Sequence, residues 1–237
     1  MKPSAIFVVS ALTFLVLTGM SMAQNVLVVT ENGAKYQISD GGALLPFNGT
    51  TIKDVDKIFQ VMNRILIADF DAQFNRDLYN SQTIGCWTLN PADITQGSRF
   101  SFESMDVKSY GFGSCIKVRY DVECKGEAAN GFFIKPQGTH ISNCDLLSIW
   151  VRGSDHFGFT TRFQIGVKND SGDKFEFMIE GVTANWQNYL LDLKDVKMLD
   201  RWATINEIYT VFDLRTVTRD KGVVYLDHFE YLTISRL

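Results

Sequence analysis

Histidine is scarce in this 237-residue chain: His140, His156 and His228 are the only three. They show no ligand spacing, which argues against a zinc enzyme. Basic charge is not in excess either. Lysine plus arginine total 23 against 27 acidic residues, a formal charge of -4. No strongly basic face is available for nucleic acid. No Cys-x-x-Cys pair occurs, so thioredoxin-like chemistry has no motif. No Gly-x-Ser-x-Gly occurs: Ser114, in Gly111-Phe112-Gly113-Ser114, lacks the final glycine and sits in a strand context unlike a nucleophile elbow. There is no phosphate-binding Gly-rich loop and no tight carboxylate cluster of the kind a glycosidase needs. The four prolines form no linker, and no repeat or low-complexity tract appears. With 46% hydrophobic and 21% charged residues, a disordered tail, a collagen-like fibre and a coiled coil are also excluded. What the chain does have is aromatic mass: 18 Phe, 8 Tyr and 4 Trp. Together with β-branched residues, that loading points to sheets.

The first 23 residues read as a secretory signal peptide. Lys2 supplies the positive start, Ala5 to Leu17 are apolar apart from Ser10 and Thr13, and Ser21 and Ala23 supply small residues before a cut at Gln24. The apolar run is shorter than the roughly 20 residues a bilayer span needs. Removal leaves 214 residues (237 minus 23) and a charge of -5 (22 minus 27). Export agrees with an even number of cysteines: Cys86, Cys115, Cys124 and Cys144. Cys115 and Cys124 are nine residues apart and face opposite sides of a regular strand. The expected pairs are Cys124 with Cys144 and Cys86 with Cys115. Four buried free thiols are the alternative.

Residues 24–64 read as an extension. Val26–Thr30 and Lys35–Ser39 form a hairpin around Asn32-Gly33. Thr51–Arg64 reads as the one helix, with Ile52, Val55, Ile58, Phe59 and Met62 along one stripe. From 65 to 237 the period is two. Ile116, Val118 and Tyr120 share a face opposite Lys117 and Arg119. Phe163, Ile165 and Val167 share another, and Phe175, Phe177 and Ile179 return beyond Asp170-Ser171-Gly172. With about nine strands separated by turns, the body reads as an antiparallel β-sandwich, a jelly roll, in one domain.

Two groups of residues invite a ligand. Asp69 and Asp71 end the first sandwich strand and Asp227 lies in the last. If those strands are neighbours, the three carboxylates have the oxygen chemistry for Ca²⁺. The alternative is that they hold turns through backbone hydrogen bonds. Among the aromatics, Trp150 and Trp186 read as core. Trp87, Trp202 and Tyr110 lie in more polar surroundings and are candidates for an exposed platform that holds a sugar ring or a partner.

The ordered motifs then carry a family resemblance over most of residues 65–237. They are Ile65-Leu66-Ile67-Ala68-Asp69-Phe70-Asp71, Cys86-Trp87, Gly97-Ser98-Arg99-Phe100, Leu147–Gly153, Asn185-Trp186-Gln187-Asn188 and Val224–Tyr231. Together they resemble the jelly rolls of non-catalytic carbohydrate-binding modules in the broad galactose-binding-like class. Among these they are most similar to the spirochaetal FlaA family, the sheath proteins of periplasmic flagella. The resemblance implies a non-enzymatic subunit of the flagellar filament outer layer, in the periplasm, supporting filament shape and motility. Its partners would be core flagellins and other sheath proteins. The alternative is an exported stand-alone carbohydrate-binding module with a glycan partner. A hydrolase would need two carboxylates converging in a cleft.

Overall fold

The computed structural model describes residues 27–29, 35–38, 44–46, 59–71, 83–105, 113–124, 126–136, 139–194, 196 and 204–236. Near the N-terminus, β1 (Leu27–Val29) and β2 (Lys35–Ile38) pair antiparallel, with Val28 opposite Tyr36, and β3 (Leu44–Pro46) adds to β2. The expected hairpin is therefore present and gains a third strand.

The body is two antiparallel six-stranded sheets packed face to face. One contains β4 (Phe59–Ala68), β6 (Gly97–Met105), β7 (Gly113–Asp121), β10 (Leu146–Gly153), β13 (Gln187–Asp192) and β15 (Lys221–Arg236). Its order is β13-β10-β15-β7-β6, with β4 also on β15. The other contains β5 (Ile84–Thr88), β8 (Ala129–Ile134), β9 (Thr139–His140), β11 (Arg162–Asn169), β12 (Lys174–Glu180) and β14 (Thr204–Asp213). Its order is β12-β11-β14-β8-β5, with β9 on the end of β14. The two are called here the β15 sheet and the β14 sheet. Alternation decides which side chains fill the space between them. Ile116, Val118 and Tyr120 from β7 meet Phe163, Ile165 and Val167 from β11, together with Leu147, Ile149, Val151, Phe132 and Phe212. Tyr120 stacks on Phe212 with ring centres 4.3 Å apart and planes at 8°. The hairpin at residues 170–172 joins β11 and β12 as expected, and Gly172 supplies the left-handed turn position at φ 85°.

The helix expected over 51–64 is overturned in its second half. Phe59 onward is β4, paired with the far half of β15 from Phe229 to Arg236. Residues 51–58 lie outside the described residues. β15 is 16 residues long, and past Leu226 its side toward β7 needs a new hydrogen-bonding partner. A short apolar run with helical spacing is not distinguishable locally from a strand, and long-range pairing decides it.

The two expected disulfides are also overturned: all four cysteines are free thiols. Cys115 lies on the outside of the β15 sheet with Val223, Tyr225 and Trp186, whereas Cys86 lies in the β14 sheet against the core. Cys124 follows Asp121, which pairs with Lys221, while Cys144 precedes Leu146, which pairs with Leu232. Those β15 positions are eleven residues apart (232 minus 221), roughly 36 Å of strand. The expected face parity of Cys115 and Cys124 holds, but the pairings fail on distance. Burial pushes the Cys86 thiol up to about 12. Protein purified without reductant is therefore expected to give four titratable thiols per chain in denaturant, with Cys86 silent to iodoacetamide at pH 8 in the native state. Thiol counting and peptide mapping check this, and fewer than four thiols would revive a disulfide.

The turn after β14 depends on ionised Asp213. Its carboxylate receives Arg215 N at 2.8 Å, Nε at 2.9 Å and Nη2 at 2.6 Å. The Arg215 hydrogen bond holds the Asp213 carboxyl below the usual carboxylate range. A folded-state value lower than the unfolded one means stability that is present above about pH 4 and lost as pH falls through the folded value. An Asp213→Asn variant is expected to melt with a flatter acid limb than the parent in thermal scans below that pH. Parallel limbs would remove Asp213 from the acid response.

Candidate functional site

The outer face of the β14 sheet carries an aromatic strip built from three strands. Register alone assembles it. Gly85 on β5 lies opposite Phe133 on β8, Phe133 opposite Tyr209 on β14, Tyr209 opposite Gly166 on β11, and Gly166 opposite Glu176 on β12. One row over, Trp87 lies opposite Gly131, and Val211 opposite Gln164, which faces Met178. Five strands at the usual spacing make the strip roughly 19 Å across.

The glycines let the rings lie down. A Cβ on Gly166 would sit 2.1 Å from Tyr209 Cζ, and one on Gly85 would sit 2.7 Å from Phe133 Cζ. Each ring therefore covers its neighbour's backbone instead of standing off the sheet. Trp87 is fixed by its indole N–H, which donates to the Thr210 carbonyl at 3.1 Å. That carbonyl also occupies the space above Gly131, where a Cβ would come within 1.8 Å of it. Thr210 Oγ1 takes the Phe132 N–H at 2.9 Å, which holds β14 in place behind the strip. Trp87 and Tyr209 meet edge to face with ring centres 6.4 Å apart. Trp87 and Phe133 are half-buried, and Tyr209 is buried.

Polar groups border the rings. Tyr209 OH donates to Glu176 Oε1 at 3.0 Å, and Gln164 Nε2 donates to Glu176 Oε2 at 3.4 Å. Burial, and then the Glu176 charge, push the Tyr209 hydroxyl far above its ordinary value, so it stays protonated as a donor. Lys135 Nζ lies 5.3 Å from the Phe133 ring centre and Lys174 Nζ 5.9 Å from that of Tyr209. Leu89, next outward on the β5 face after Trp87, and Met178 extend the apolar surface at either side and are exposed. A half-buried apolar strip with a few fixed donors and acceptors is the chemistry that takes the C–H face and the hydroxyl edge of a sugar ring.

Of the aromatic candidates read from sequence, Trp87 is in this strip, and Trp202 and Tyr110 lie outside the described residues. Trp150 and Trp186, expected in the core, are on the outside of the β15 sheet. Trp150 alternates with core residues Ile149 and Val151 and pairs with Asp227, and Trp186 packs on Tyr225 and Val223. Phe133 and Tyr209 were not candidates. Phe133 shares with Trp87 a glycine two residues before the ring, in Gly131-Phe132-Phe133 and Gly85-Cys86-Trp87, and Tyr209 carries no such local mark.

The three aspartates are near the place where the end of β4 meets the middle of β15, with Phe229 opposite Ala68. Asp69 Oδ1 takes the Asp71 N–H at 3.2 Å, Asp71 Oδ1 takes the Ser114 N–H at 2.9 Å, and Asp227 Oδ1 takes the His228 N–H at 2.8 Å. Among the described residues no group of three His, Cys, Asp or Glu side chains is placed to hold a metal ion. Calcium at Asp69, Asp71 and Asp227 stays a sequence expectation.

No family model matches the chain, and neither does any curated protein. Solved structures do. An exo-β-agarase structure aligns at 14% identity and TM-score 0.50, over 73% of this chain and 25% of that one. The family 11 carbohydrate-binding module of a cellulosomal cellulase of Clostridium thermocellum aligns at 12% identity and TM-score 0.47, over 73% and 96%. A xylan-binding module of Paenibacillus barcinonensis aligns at 12% identity and TM-score 0.42, over 73% and 95%. Identity this low is a likeness of fold. The chain has an antiparallel β-sandwich fold, and the exo-β-agarase alignment is a likeness of that fold.

Proposed function

We propose that this chain is an exported, non-catalytic carbohydrate-binding module that holds a glycan on the outer face of the β14 sheet. The observation that carries the reading is the strip of Trp87, Phe133 and Tyr209, laid flat on neighbouring strands and edged by Gln164, Glu176 and Lys174. The rings offer dispersion contact to sugar C–H faces, and the bordering amide, carboxylate and ammonium groups pair with hydroxyls. Fold likeness supports the class of ligand without naming one.

The flagellar-sheath reading rests on the ordered motifs, the signal peptide and the lack of catalytic motifs in the sequence. Many residues of the ordered motifs are core positions: Leu147, Ile149, Val151, Val224, Leu226, Phe229 and Tyr231 all pack between the sheets. Those motifs thus mark the sandwich, which sheath subunits and sugar-binding modules share, and glycan binding is the reading with a surface behind it.

Affinity electrophoresis tests the proposal with the full chain run through gels containing xylan, mixed-linkage β-glucan, agarose or no polymer. Retardation by at least one neutral polymer is the expected outcome. Unchanged mobility in every gel, with no response on a broad glycan array, would sink it.

A further inference from the structure

The outer face of the β15 sheet carries a second arrangement of rings and cations that the glycan strip does not use. Arg152 on β10 lies opposite Tyr225 on β15, and Tyr225 lies opposite Lys117 on β7. The Arg152 guanidinium stands over the Tyr225 ring, 5.8 Å from its centre. Lys117 Nζ lies 5.0 Å from the centre of the Phe157 ring. Phe157 is brought there by a fixed loop: Val223 N donates to Gly158 O at 2.9 Å and Ser154 N to Val223 O at 3.1 Å, so the segment after β10 folds back onto β15. Phe157 is 46% exposed, and Trp186 packs beside Tyr225. Ring and cation thus alternate across the sheet.

Beside this row, two arginines face each other. Arg99 on β6 is directly opposite Arg119 on β7, and both are exposed. Like charges directly opposite on adjacent strands are unfavourable. Among the described residues neither joins an ion pair. Carboxylates on this face hold other partners. Glu103 pairs with Lys117 at 3.2 Å, Asp121 Oδ1 takes the Glu123 N–H at 3.0 Å, and Asp227 takes the His228 N–H. An arginine pair without an ion-pair partner among the described residues, next to an alternating row of rings and cations, complements a ligand that repeats a carboxylate on a ring with an apolar C–H face.

We propose that the outer face of the β15 sheet is a second binding face, specific for a polyuronate chain. Arg99 and Arg119 take its carboxylates in bidentate hydrogen bonds, and the exposed Phe157 with the half-buried Trp186 receives its ring faces, while Tyr225 lies buried beneath Arg152 and supports them.

The test is titration of the full chain with oligogalacturonate at low and at moderate salt. Saturable binding that weakens with salt is expected. The double variant Arg99→Glu with Arg119→Glu should weaken it by roughly tenfold or more. Trp87→Ala should leave it unchanged, which separates this face from the β14 strip. Dextran sulfate and a single-stranded oligonucleotide serve as competitors. Either one binding more tightly than the uronate overturns the assignment. So does the absence of uronate binding, or binding that the double arginine variant keeps. A Phe157→Ala variant gives a second readout on an exposed loop, with a several-fold loss expected and folding unaffected.

Discussion

Gly131→Ala is expected to destabilise the protein more than any other single methyl addition on the β14 strip. The added Cβ would stand 1.8 Å from the Thr210 carbonyl oxygen and 2.7 Å from Trp87 Nε1. The first neighbour is backbone, held by the pairing of β8 with β14, so it cannot swing aside as a side-chain end can. Overpacking in a fixed site costs about 3 kcal/mol at the upper end of its ordinary range. For a chain of this size that lowers Tm by roughly 6–12 °C. Gly126→Ala is the control, because nothing lies within 4 Å of its added Cβ. Its melting point should stay within a degree or two of the parent, about the ±0.5 kcal/mol usual at open surface sites. Differential scanning calorimetry on both variants decides the matter. Equal melting points would mean that β14 does not approach Gly131 as described.

Trp87→Ala is expected to abolish measurable glycan retardation. The indole is the largest ring of the strip and the one that reaches from β5 toward β14, through its bond to the Thr210 carbonyl. Central aromatic anchors of this type cost on the order of 2 kcal/mol or more in binding when truncated, about thirtyfold in affinity. Truncation also leaves the Thr210 carbonyl without the indole donor, at about 1 kcal/mol of stability. The two effects separate with Trp87→Phe, which keeps a ring and loses the N–H. That variant should melt between Trp87→Ala and the parent, because it keeps ring packing against Tyr209, and still be retarded by the polymer. If Trp87→Ala folds and binds like the parent, the strip is packing and the glycan face lies elsewhere.

The strands easiest to read from sequence were those with unbroken alternation. On β7, Ile116, Val118 and Tyr120 were assigned to one face and all three are core. The β11–β12 hairpin was legible because Asp170-Ser171-Gly172 sits between two alternating aromatic runs. β5 and β8 were not recognised as strands at all. Gly85 interrupts one and Gly131 the other, and glycine weakens the strand signal because it has no side chain to pack. Those same glycines are where the rings lie down. The feature that hid these strands is the feature that builds the site. The helix reading failed in the opposite way: the stripe through Phe59 and Met62 was a valid local pattern that pairing with β15 overrode.

By itself, the amino-acid sequence determined the class of the molecule. Period-two alternation, aromatic loading and turn residues are local properties, and they are enough to require facing sheets around one core. They also determined which side of β7 and β11 points inward, because successive side chains must alternate. Only the tertiary structure decided what stands beside what. The set Trp87, Phe133, Tyr209 and Gln164 spans 122 residues between Trp87 and Tyr209 (209 minus 87), and register across four strands brings it together. The cysteines illustrate the same limit: their parity was readable, but their separation depends on which sheet and which end of β15 each one reaches. Alternation is set residue by residue, whereas strand order is set by the packing of the whole core, and the candidate site follows the second.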